Sequence, residues 1–574
     1  MRWQIKPADN DRVKGLQRAL KCSPTLARIL IQRGLEDVDL VRTFFTPDLQ
    51  HLHDPYLMKD MSRAVKRIAH NIETKTPILI FGDYDVDGTT AASLLYCILT
   101  TLGARVRPYI PDRATEGYGL SQPGISAALD FGADLLITCD CGINAVAEVA
   151  SARDQGVDII ITDHHMPDKT LPDAWAILNP KREDCTYPFK ALCGAGVAFK
   201  LAQALLTHCS HSLNPLWDLL DLVSLGTAAD MVPIIDENRI LTYHGLRLMP
   251  QSSRPGIAAL LSLAGLEDKI PSVGQLVFGL APRINAAGRM GDANRTVRLL
   301  TTSDEAEARR LAKELDEENN RRRRIQQAVV DDALRQVNSE VDLTRERAVV
   351  LMQAGWHPGV VGIVASRIKD EFHRPAIIIA LDADGLGKGS ARSIPGLDLY
   401  QALTAVKDHL AGYGGHPMAA GLTVRQEDFP AFKQAFLNHV ASILTEEDME
   451  PTLTLDSEVV LQDIDSRFMS FLEKLGPYGP GNMRPKFQAS GLEVVGNPKV
   501  MGHGDHIRFR VRQGRTVFAA VGFNLSHHYE TLIKGLPIDL AFVVETNEWQ
   551  GRTSIQFNVR DIHVTRNHSA TRKL

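Results

Sequence analysis

Ile159-Ile160-Ile161-Thr162-Asp163-His164-His165 runs from a short apolar stretch straight into an acid and two histidines. The same construction occurs twice upstream. Ile78-Leu79-Ile80-Phe81 leads into Gly82-Asp83-Tyr84-Asp85-Val86-Asp87-Gly88, and Leu135-Leu136-Ile137-Thr138 leads into Cys139-Asp140. Apolar, β-branched runs bounded by Gly and Asp predict buried parallel strands. Ligand sites in open α/β sheets lie beyond the carboxyl ends of such strands. The acids and histidines of these three clusters are therefore expected together at one sheet edge. Carboxylates crowded there would repel one another and raise each other's pKa. A pair of divalent cations removes the repulsion and accounts for the imidazoles.

Outward from these clusters, strand and helix patterns alternate. Strands are expected at 78–81, 105–110, 135–138, 158–161 and 175–178, with helices near 89–102, 122–131 and 143–155, which makes βαβ units and a doubly wound parallel sheet. Another helical stretch, near 214–228, ends at Ala228-Ala229-Asp230. Residues 1–55 carry helical periodicity through Leu16, Leu20, Leu26, Ile29 and Leu30 and read as a helical cap on the α/β region after them. Residues 302–338 predict one long helix opened by a Thr302–Glu305 capping box. Its thin apolar stripe suits a bridge between domains, and Arg321 to Arg324 within it read either as a solvated turn or as a phosphate-facing patch. A second α/β unit, with strands at 348–353 and 376–381, comes next; beyond about 452 the pattern alternates as in a small antiparallel barrel. The expected division is 1–55, 56–300, 301–340, 341–446 and 450–574.

The bulk numbers agree with an ordinary globular chain: 574 residues, 44% hydrophobic, 23% charged, formal net charge −5. Global charge is a poor guide where one site gathers acids and basic residues cluster elsewhere. The seven Cys all lie in the first 210 residues, with no CxxC pair, and read as reduced thiols in a cytoplasmic protein. No apolar stretch approaches a membrane span, and the N-terminus lacks the apolar core of a signal peptide.

Asp and His suit Mn²⁺ or Mg²⁺, and two such ions side by side are a recurring device of phosphoryl chemistry. Asp140, alone at the end of the central strand, is the natural bridge between them. Asp85 and Asp87 are expected to face the same side of an extended loop, since two-residue spacing restores direction. A lone D-x-D equally describes an Asx-rich turn; three clusters at successive strand ends do not.

These motifs resemble the DHH phosphoesterase superfamily, named for the triplet at 163–165, and within it the single-strand-specific exonucleases. The resemblance continues through Pro111-Asp112-Arg113, Glu116 to Leu120, Leu225 to Asp230, Pro282 to Arg289, Trp356 to Gly362 and Gly414-Gly415-His416. It implies a DHH domain, a DHHA1-like domain and an oligonucleotide-binding barrel. It assigns Asp83, Asp85, Asp87, Asp140, His164 and Asp230 to a pair of metal ions, with Asp83 the least secured because Asp85 and Asp87 alone satisfy that corner. Asp140, Asp163 and His165 are its catalytic set, with His165 either donating a proton or orienting a ligand. Arg113, Tyr118, Asn285, Arg289, Ser390, Arg392, Gly414, Gly415 and His416 would grip the strand, Ser390 and Arg392 at its 5′ end. His357 is a further, weaker candidate, and Arg508, Arg510 and Arg512 would form the binding face of the barrel.

The implied activity is 5′-to-3′ hydrolysis of single-stranded DNA to mononucleotides, in repair and recombination. A cleft between the α/β domains, closed into a ring by the barrel, would exclude duplex. The implied partners are single-stranded DNA, a RecQ-type helicase and a single-strand-binding protein, with the chain itself a monomer. Two other readings are a phosphodiesterase of short oligonucleotides or cyclic dinucleotides, which chain length disfavours, and a non-catalytic replication factor, which the intact acids disfavour.

Overall fold

The computed structural model describes residues 1–113, 115–290, 292–549 and 552–565. The chain divides into two compact units. One comprises Trp3–Ile284, Ala293–Ala312 and Leu453–Leu574; the other comprises Met1–Arg2, Asn285–Asp292 and Lys313–Thr452.

Three short helices, α1 (Asn10–Leu20), α2 (Pro24–Ile31) and α3 (Val38–Phe45), open the first unit. Asp9, Ser23 and Asp37 cap them through side-chain oxygens that accept from first-turn N–H groups. Next comes a five-stranded sheet of β1 (Ile78–Gly82), β2 (Val106–Tyr109), β3 (Leu135–Cys139), β4 (Asp158–Thr162) and β5 (Ala176–Leu178). Its order is β2-β1-β3-β4-β5, every pair parallel. β1 and β3 are buried along their whole length, which is why they read as unbroken apolar runs. β1, β3 and β4 are neighbours, so Asp83, Asp140 and Asp163 come directly off adjacent strands. Three buried helices pack beside them: α4 (Val86–Thr101), α5 (Gly194–His208) and α6 (Leu220–Ala229).

Helix α7 (Glu305–Glu340) is a single 36-residue helix, and the boundary between the units falls inside it, between Ala312 and Lys313. Its start differs from the expected capping box. Asp304, not Thr302, accepts from the Ala306 and Glu307 N–H groups, while the Thr302 hydroxyl donates to Glu307. Arg322 is buried; Arg321, Arg323 and Arg324 are exposed.

The second unit holds a sheet of β6 (Val349–Ala354), β7 (Ala376–Leu381), β8 (Leu386–Arg392), β9 (Gly412–His416) and β10 (Ala419–Arg425) in the order β9-β10-β8-β7-β6. Only β6 and β7 pair in parallel. Val361, Val364, Ala365 and Ile368 of helix α8 (Val361–Phe372) share one core with the last turns of α7. A separate core takes Phe432, Phe436 and Val440.

The chain then returns to the first unit with a seven-stranded sheet, made of the two-residue strand Ser457–Glu458 and six more: β11 (Phe487–Val494), β12 (Lys499–Met501), β13 (His506–Gln513), β14 (Thr516–Gly522), β15 (Ile538–Trp549) and β16 (Arg552–Val564). The pairing of β11 with β13 closes them into a barrel. The barrel is not wholly antiparallel as expected: β14 and β16 run parallel, because the closed ring β11-β15-β16-β14-β13 has an odd number of strands and cannot alternate in direction all the way round. A second correction concerns residues 1–55. Val13, Leu16, Ile29, Leu30 and Val41 join the core of the barrel with Phe487, Phe542 and Phe557, so these helices extend the β domain instead of capping the parallel sheet. The expected stretch 214–228 is broken into Asn214–Trp217 and α6. Most of the expected C-terminal tail, 566–574, lies outside the described residues.

Candidate metal centre

At the carboxyl edge of the parallel sheet, three groups of ligand atoms each fall within 4.8 Å of one another: Asp83, Asp85 and Asp140; Asp87, His164 and Asp230; and Asp140, His164 and His165. Asp140 therefore belongs to more than one group, as expected of a bridge. His164 Nε2 stands 3.0 Å from Asp140 Oδ1, 3.5 Å from Asp230 Oδ2 and 3.9 Å from Asp87 Oδ2.

The backbone explains why these side chains converge. Asp140 leaves β3 in the left-handed region, φ 62°, with its N–H donating to Thr162 O at 2.9 Å. Such a conformation is uncommon for a non-glycine residue and is held only where the surroundings over-determine it. A Cβ on Gly194, the first residue of α5, would lie 2.6 Å from the Asp140 Cβ, so only glycine lets the helix approach. A Cβ on Gly226 would lie 2.7 Å from Asp87 Oδ1.

Asp85 and Asp87 do not share an extended loop. Asp85 is the N-cap of α4, accepting from the Gly88 N–H at 3.0 Å, and Asp87 lies in the helix's first turn. Two residues carry the helix round by a little over half a turn, so the two side chains point apart, which sends Asp85 to the Asp83 group and Asp87 to the His164 group. Asp87 is buried against the start of α5, where Gly194 N–H donates to Oδ2 at 2.5 Å and Ala195 N–H to Oδ1 at 2.8 Å. Helix N-termini are favourable places for a carboxylate. No side-chain pattern announces these two donors, so the sequence gives them no signal beyond the glycines in Cys193-Gly194-Ala195-Gly196.

Asp163 is filled by the protein itself. Its Oδ1 accepts from the His164 and His165 N–H groups at 2.7 and 3.0 Å and lies 2.8 Å from His165 Nδ1, and its Oδ2 accepts from Ile143 N–H at 2.9 Å. Burial pushes the Asp163 carboxyl up, but these bonds outweigh it and hold it below the ordinary range. Burial pushes His165 down, and the bond to Asp163 reverses that, leaving it raised. His164, dominated by burial, is lowered to about 4 and stays neutral, the form that ligates a metal.

The remaining acids are different. Burial, followed by the Asp85 charge, pushes Asp83 up to about 8, and burial, followed by Asp87, does the same to Asp230. Burial, followed by Asp87, raises Asp140 well above the carboxylate range. Asp83 Oδ1, Asp140 Oδ1, Asp230 Oδ2 and both ring nitrogens of His164 are buried with no hydrogen-bond partner. Buried polar atoms are almost always satisfied. Five that are not, all of metal-ligating type and at one place, fit a pair of divalent ions.

At the rim, the Arg113 guanidinium lies 5.1 Å over the Tyr84 ring, and Tyr118 Oη is 3.3 Å from His165 Nε2. Glu116, given no role from the sequence, fastens their loop: it accepts from Tyr109 Oη at 3.0 Å, Asp112 N–H at 2.9 Å and Ser121 Oγ at 2.5 Å.

The other expected contact residues belong to the second unit. There Arg392 Nη1 donates to Ser390 Oγ at 2.8 Å. The register aligns Ser390 with Gly421 and Gly414, and Arg392 with Ala419 and His416, so all four expected residues share one face of the sheet. Gly415 points the other way, at φ 142°, where a Cβ would come 2.6 Å from Ala419 O. A Cβ on Gly362, in the first turn of α8, would lie 3.1 Å from Ser390 Oγ. Arg289 Nη1 donates to Gly359 O at 3.4 Å, and His357 Nδ1 accepts from Gly359 N–H at 3.0 Å. Asn285 is half-buried in the same unit. In the barrel, Arg508 and Arg510 are exposed, whereas Arg512 is paired to Glu493 at 3.0 Å.

Family models match this chain in three places: the DHH family N-terminal domain at 77–227, the DHHA1 domain at 345–442 and the RecJ OB domain at 455–561. A Bacillus subtilis (strain 168) protein named single-stranded-DNA-specific exonuclease RecJ is 39% identical over 98% of this chain and 71% of its own length. The protein of that name from Escherichia coli (strain K12) is 35% identical over 97% of this chain and 99% of its own. The chain belongs to the RecJ family. A crystal structure of RecJ from Thermus thermophilus in complex with Mn²⁺ superposes with a TM-score of 0.82 at 30% identity, covering 98% of this chain and 80% of that one. The three RecJ domains thus coincide with the parallel sheet, the mixed sheet and the barrel. The division of the rest of this RecJ-family chain is set by its own packing.

Proposed function

We propose that this protein is a metal-dependent exonuclease that hydrolyses single-stranded DNA from its 5′ end and releases mononucleotides, as befits DNA repair and recombination. The observation that carries the reading is the set of overlapping ligand groups joined through Asp140 and His164, with buried oxygens left unpartnered. Asp83, Asp85 and Asp140 would hold one ion, and Asp87, Asp140, His164 and Asp230 the other. Bound there, Mn²⁺ or Mg²⁺ supplies the Lewis acidity that activates water and spreads the charge of the phosphate.

The protein's own groups do the rest. Arg113, steadied over Tyr84 and by the Glu116-fastened loop, offers a planar fork to phosphate oxygens. Tyr118, more than half exposed, offers a face to a base. Asp163 fixes the His165 ring through Nδ1, which leaves Nε2 to hand a proton to the leaving oxygen. Ser390 and Arg392, on one sheet face beside the start of α8, suit a terminal 5′-phosphate and so set polarity. Asn285, Arg289, His416 and the Gly414-Gly415 backbone complete the expected grip.

Among the described residues no helix is long and apolar enough to cross a membrane. All seven cysteines are free thiols, which supports a reducing cytoplasmic compartment. Every proposed ligand comes from one chain, so a monomer suffices. A helicase that supplies single strands and a single-strand-binding protein are the partners this substrate calls for.

The test is Asp140→Ala assayed on a long labelled single strand with Mn²⁺. Loss of degradation with retained DNA binding is expected; normal digestion by the variant refutes the assignment.

A further inference from the structure

Asp230 closes α6, and the next residue, Met231, sits in the left-handed region (φ 61°) with 56% of its surface exposed. Met231 also lines an open groove of about 790 Å³ that runs between residues 231–278 and residues 473–484 of the same unit. The groove thus begins one residue from a proposed metal ligand.

Its lining is unusual for a surface. Phe278 is 77% exposed, and Ile270 and Met483 are 57% and 58% exposed. Large apolar side chains grouped this way mark a contact surface more often than bare solvent. The same walls expose Arg247, Lys474 and Arg484 against a single acid, Glu473, while Arg239 is buried with its guanidinium donating to the Phe44, Lys474 and Gly476 carbonyls. All three guanidiniums already lie on aromatic rings: the buried Arg239 is 3.7 Å from the Phe44 centroid, Arg247 3.4 Å from that of Tyr243 and Arg484 4.7 Å from that of Tyr478. Cationic excess combined with exposed aromatic and apolar faces matches a polyanion with stackable bases. An acidic peptide would use the cations but has no need of the stacking faces.

The floor is fixed in advance. Ile234 N–H donates to Pro480 O at 2.7 Å, and Asn482 Nδ2 donates to Leu475 O at 2.8 Å and Pro477 O at 2.9 Å. A Cβ on Gly479 would come 2.5 Å from Ile234 Cγ1, so glycine is needed for this close approach. Because the 473–484 segment is tied to the residues that come after Asp230, the groove and the metal centre keep a set relation within one unit.

We propose that this groove holds the single strand beyond the phosphate at the metal centre, with bases stacked on Phe278 and the Arg484–Tyr478 pair and phosphates facing Arg247 and Lys474. The inference rests on the exonuclease reading above but assigns it a second contact surface, apart from the barrel face of Arg508 and Arg510.

The experiment compares binding of oligothymidylates of about 4 and about 16 nucleotides by the full chain, by Phe278→Ala and by Arg484→Ala. The affinity gained on lengthening should shrink about tenfold in each variant, the order expected for one lost base–aromatic stack. The salt slope should fall by about 0.7 in Lys474→Ala, which removes one phosphate-facing cation. Phe278 is too exposed to support the core, and photocrosslinking of the unsubstituted chain to 4-thiothymidine strands gives a readout free of any folding effect. Crosslinks should map to peptides containing Phe278 or residues 473–484. Crosslinks confined elsewhere, with length dependence unchanged in both variants, overturn the inference. Displacement of an acidic peptide but not of DNA overturns it in favour of a protein partner. If the unsubstituted chain neither binds nor degrades single strands, it is the exonuclease reading that fails.

Discussion

Adding Mn²⁺ to the metal-free protein should expel protons, and the buried acids set the number. Asp83 and Asp230 are each pushed up to about 8, first by burial and then by the carboxylates beside them. An aspartate in the unfolded chain titrates near about 3.9. Between these values the metal-free folded protein holds protons that the unfolded chain has lost. Its stability is therefore greatest at the acid end of that window and falls as pH rises from about 4 towards about 8, by up to about 1.4 kcal/mol per pH unit for each group. Cations bind the ionised carboxylates and displace those protons. At pH 7 the two groups together should release roughly two protons, with the raised Asp87 and Asp140 adding to the count, and metal affinity should strengthen by roughly two orders of magnitude per pH unit below about pH 8. Calorimetric titration with Mn²⁺ in buffers of different ionisation enthalpy measures the release directly. Thermal stabilisation by Mn²⁺ should likewise be larger at pH 8 than at pH 6. Release of fewer than about half a proton at pH 7, with affinity independent of pH, would mean that these acids are already ionised without metal, and the crowding argument would fail.

Three substitutions probe other proposed functional residues. Gly194→Ala places a methyl group 2.6 Å from the Asp140 Cβ, so activity should fall by at least about 100-fold, with weaker Mn²⁺ binding in the same titration. Asp163→Asn should keep the Mn²⁺ stoichiometry but lower kcat by about 100-fold or more. It should also move the basic limb of the pH–rate profile to lower pH, since His165 loses the carboxylate charge that holds its pKa up. Arg392→Ala should reduce the preference for a 5′-phosphorylated over a 5′-hydroxyl strand by about 10- to 100-fold, read from competition assays.

The metal centre was legible because its ligands other than Asp230 sit within a few residues of a buried parallel strand, and such strands announce themselves as apolar runs; Asp230, at the end of α6, has no strand beside it and is reached only through the resemblance. β1, β3 and β4 fall within a residue of the expected positions. What the sequence concealed was conformation without side-chain periodicity. The first turn of α4 is Val86-Asp87-Gly88-Thr89, which has no helical stripe, so Asp87 reads as loop. Helices α1 to α3 have clear apolar faces, but a face does not say what it meets, and theirs meet the barrel rather than the sheet that comes next in the chain. The parallel pairing of β14 with β16 is similarly silent, because alternation records which face is buried and not the direction of the neighbour.

In the primary structure all these acids are alike; the folded chain sorts them by what it gives their oxygens. Asp163 is saturated by three backbone N–H groups and a ring nitrogen, and Asp87 takes two N–H groups from the start of α5. Asp83, Asp140 and Asp230 each keep a buried oxygen without any donor. Each orphaned polar atom costs about 1–3 kcal/mol or more if nothing ever satisfies it, and Asp140 bears the further strain of a left-handed backbone. A fold that spends stability on three such oxygens around one neutral imidazole makes sense only if a cation completes them. The protein's own hydrogen bonds thus draw the line between scaffold and ligand: Asp163 lies on one side of it, Asp83, Asp140 and Asp230 on the other, and Asp87, anchored by α5 yet facing His164, is the hinge between the two.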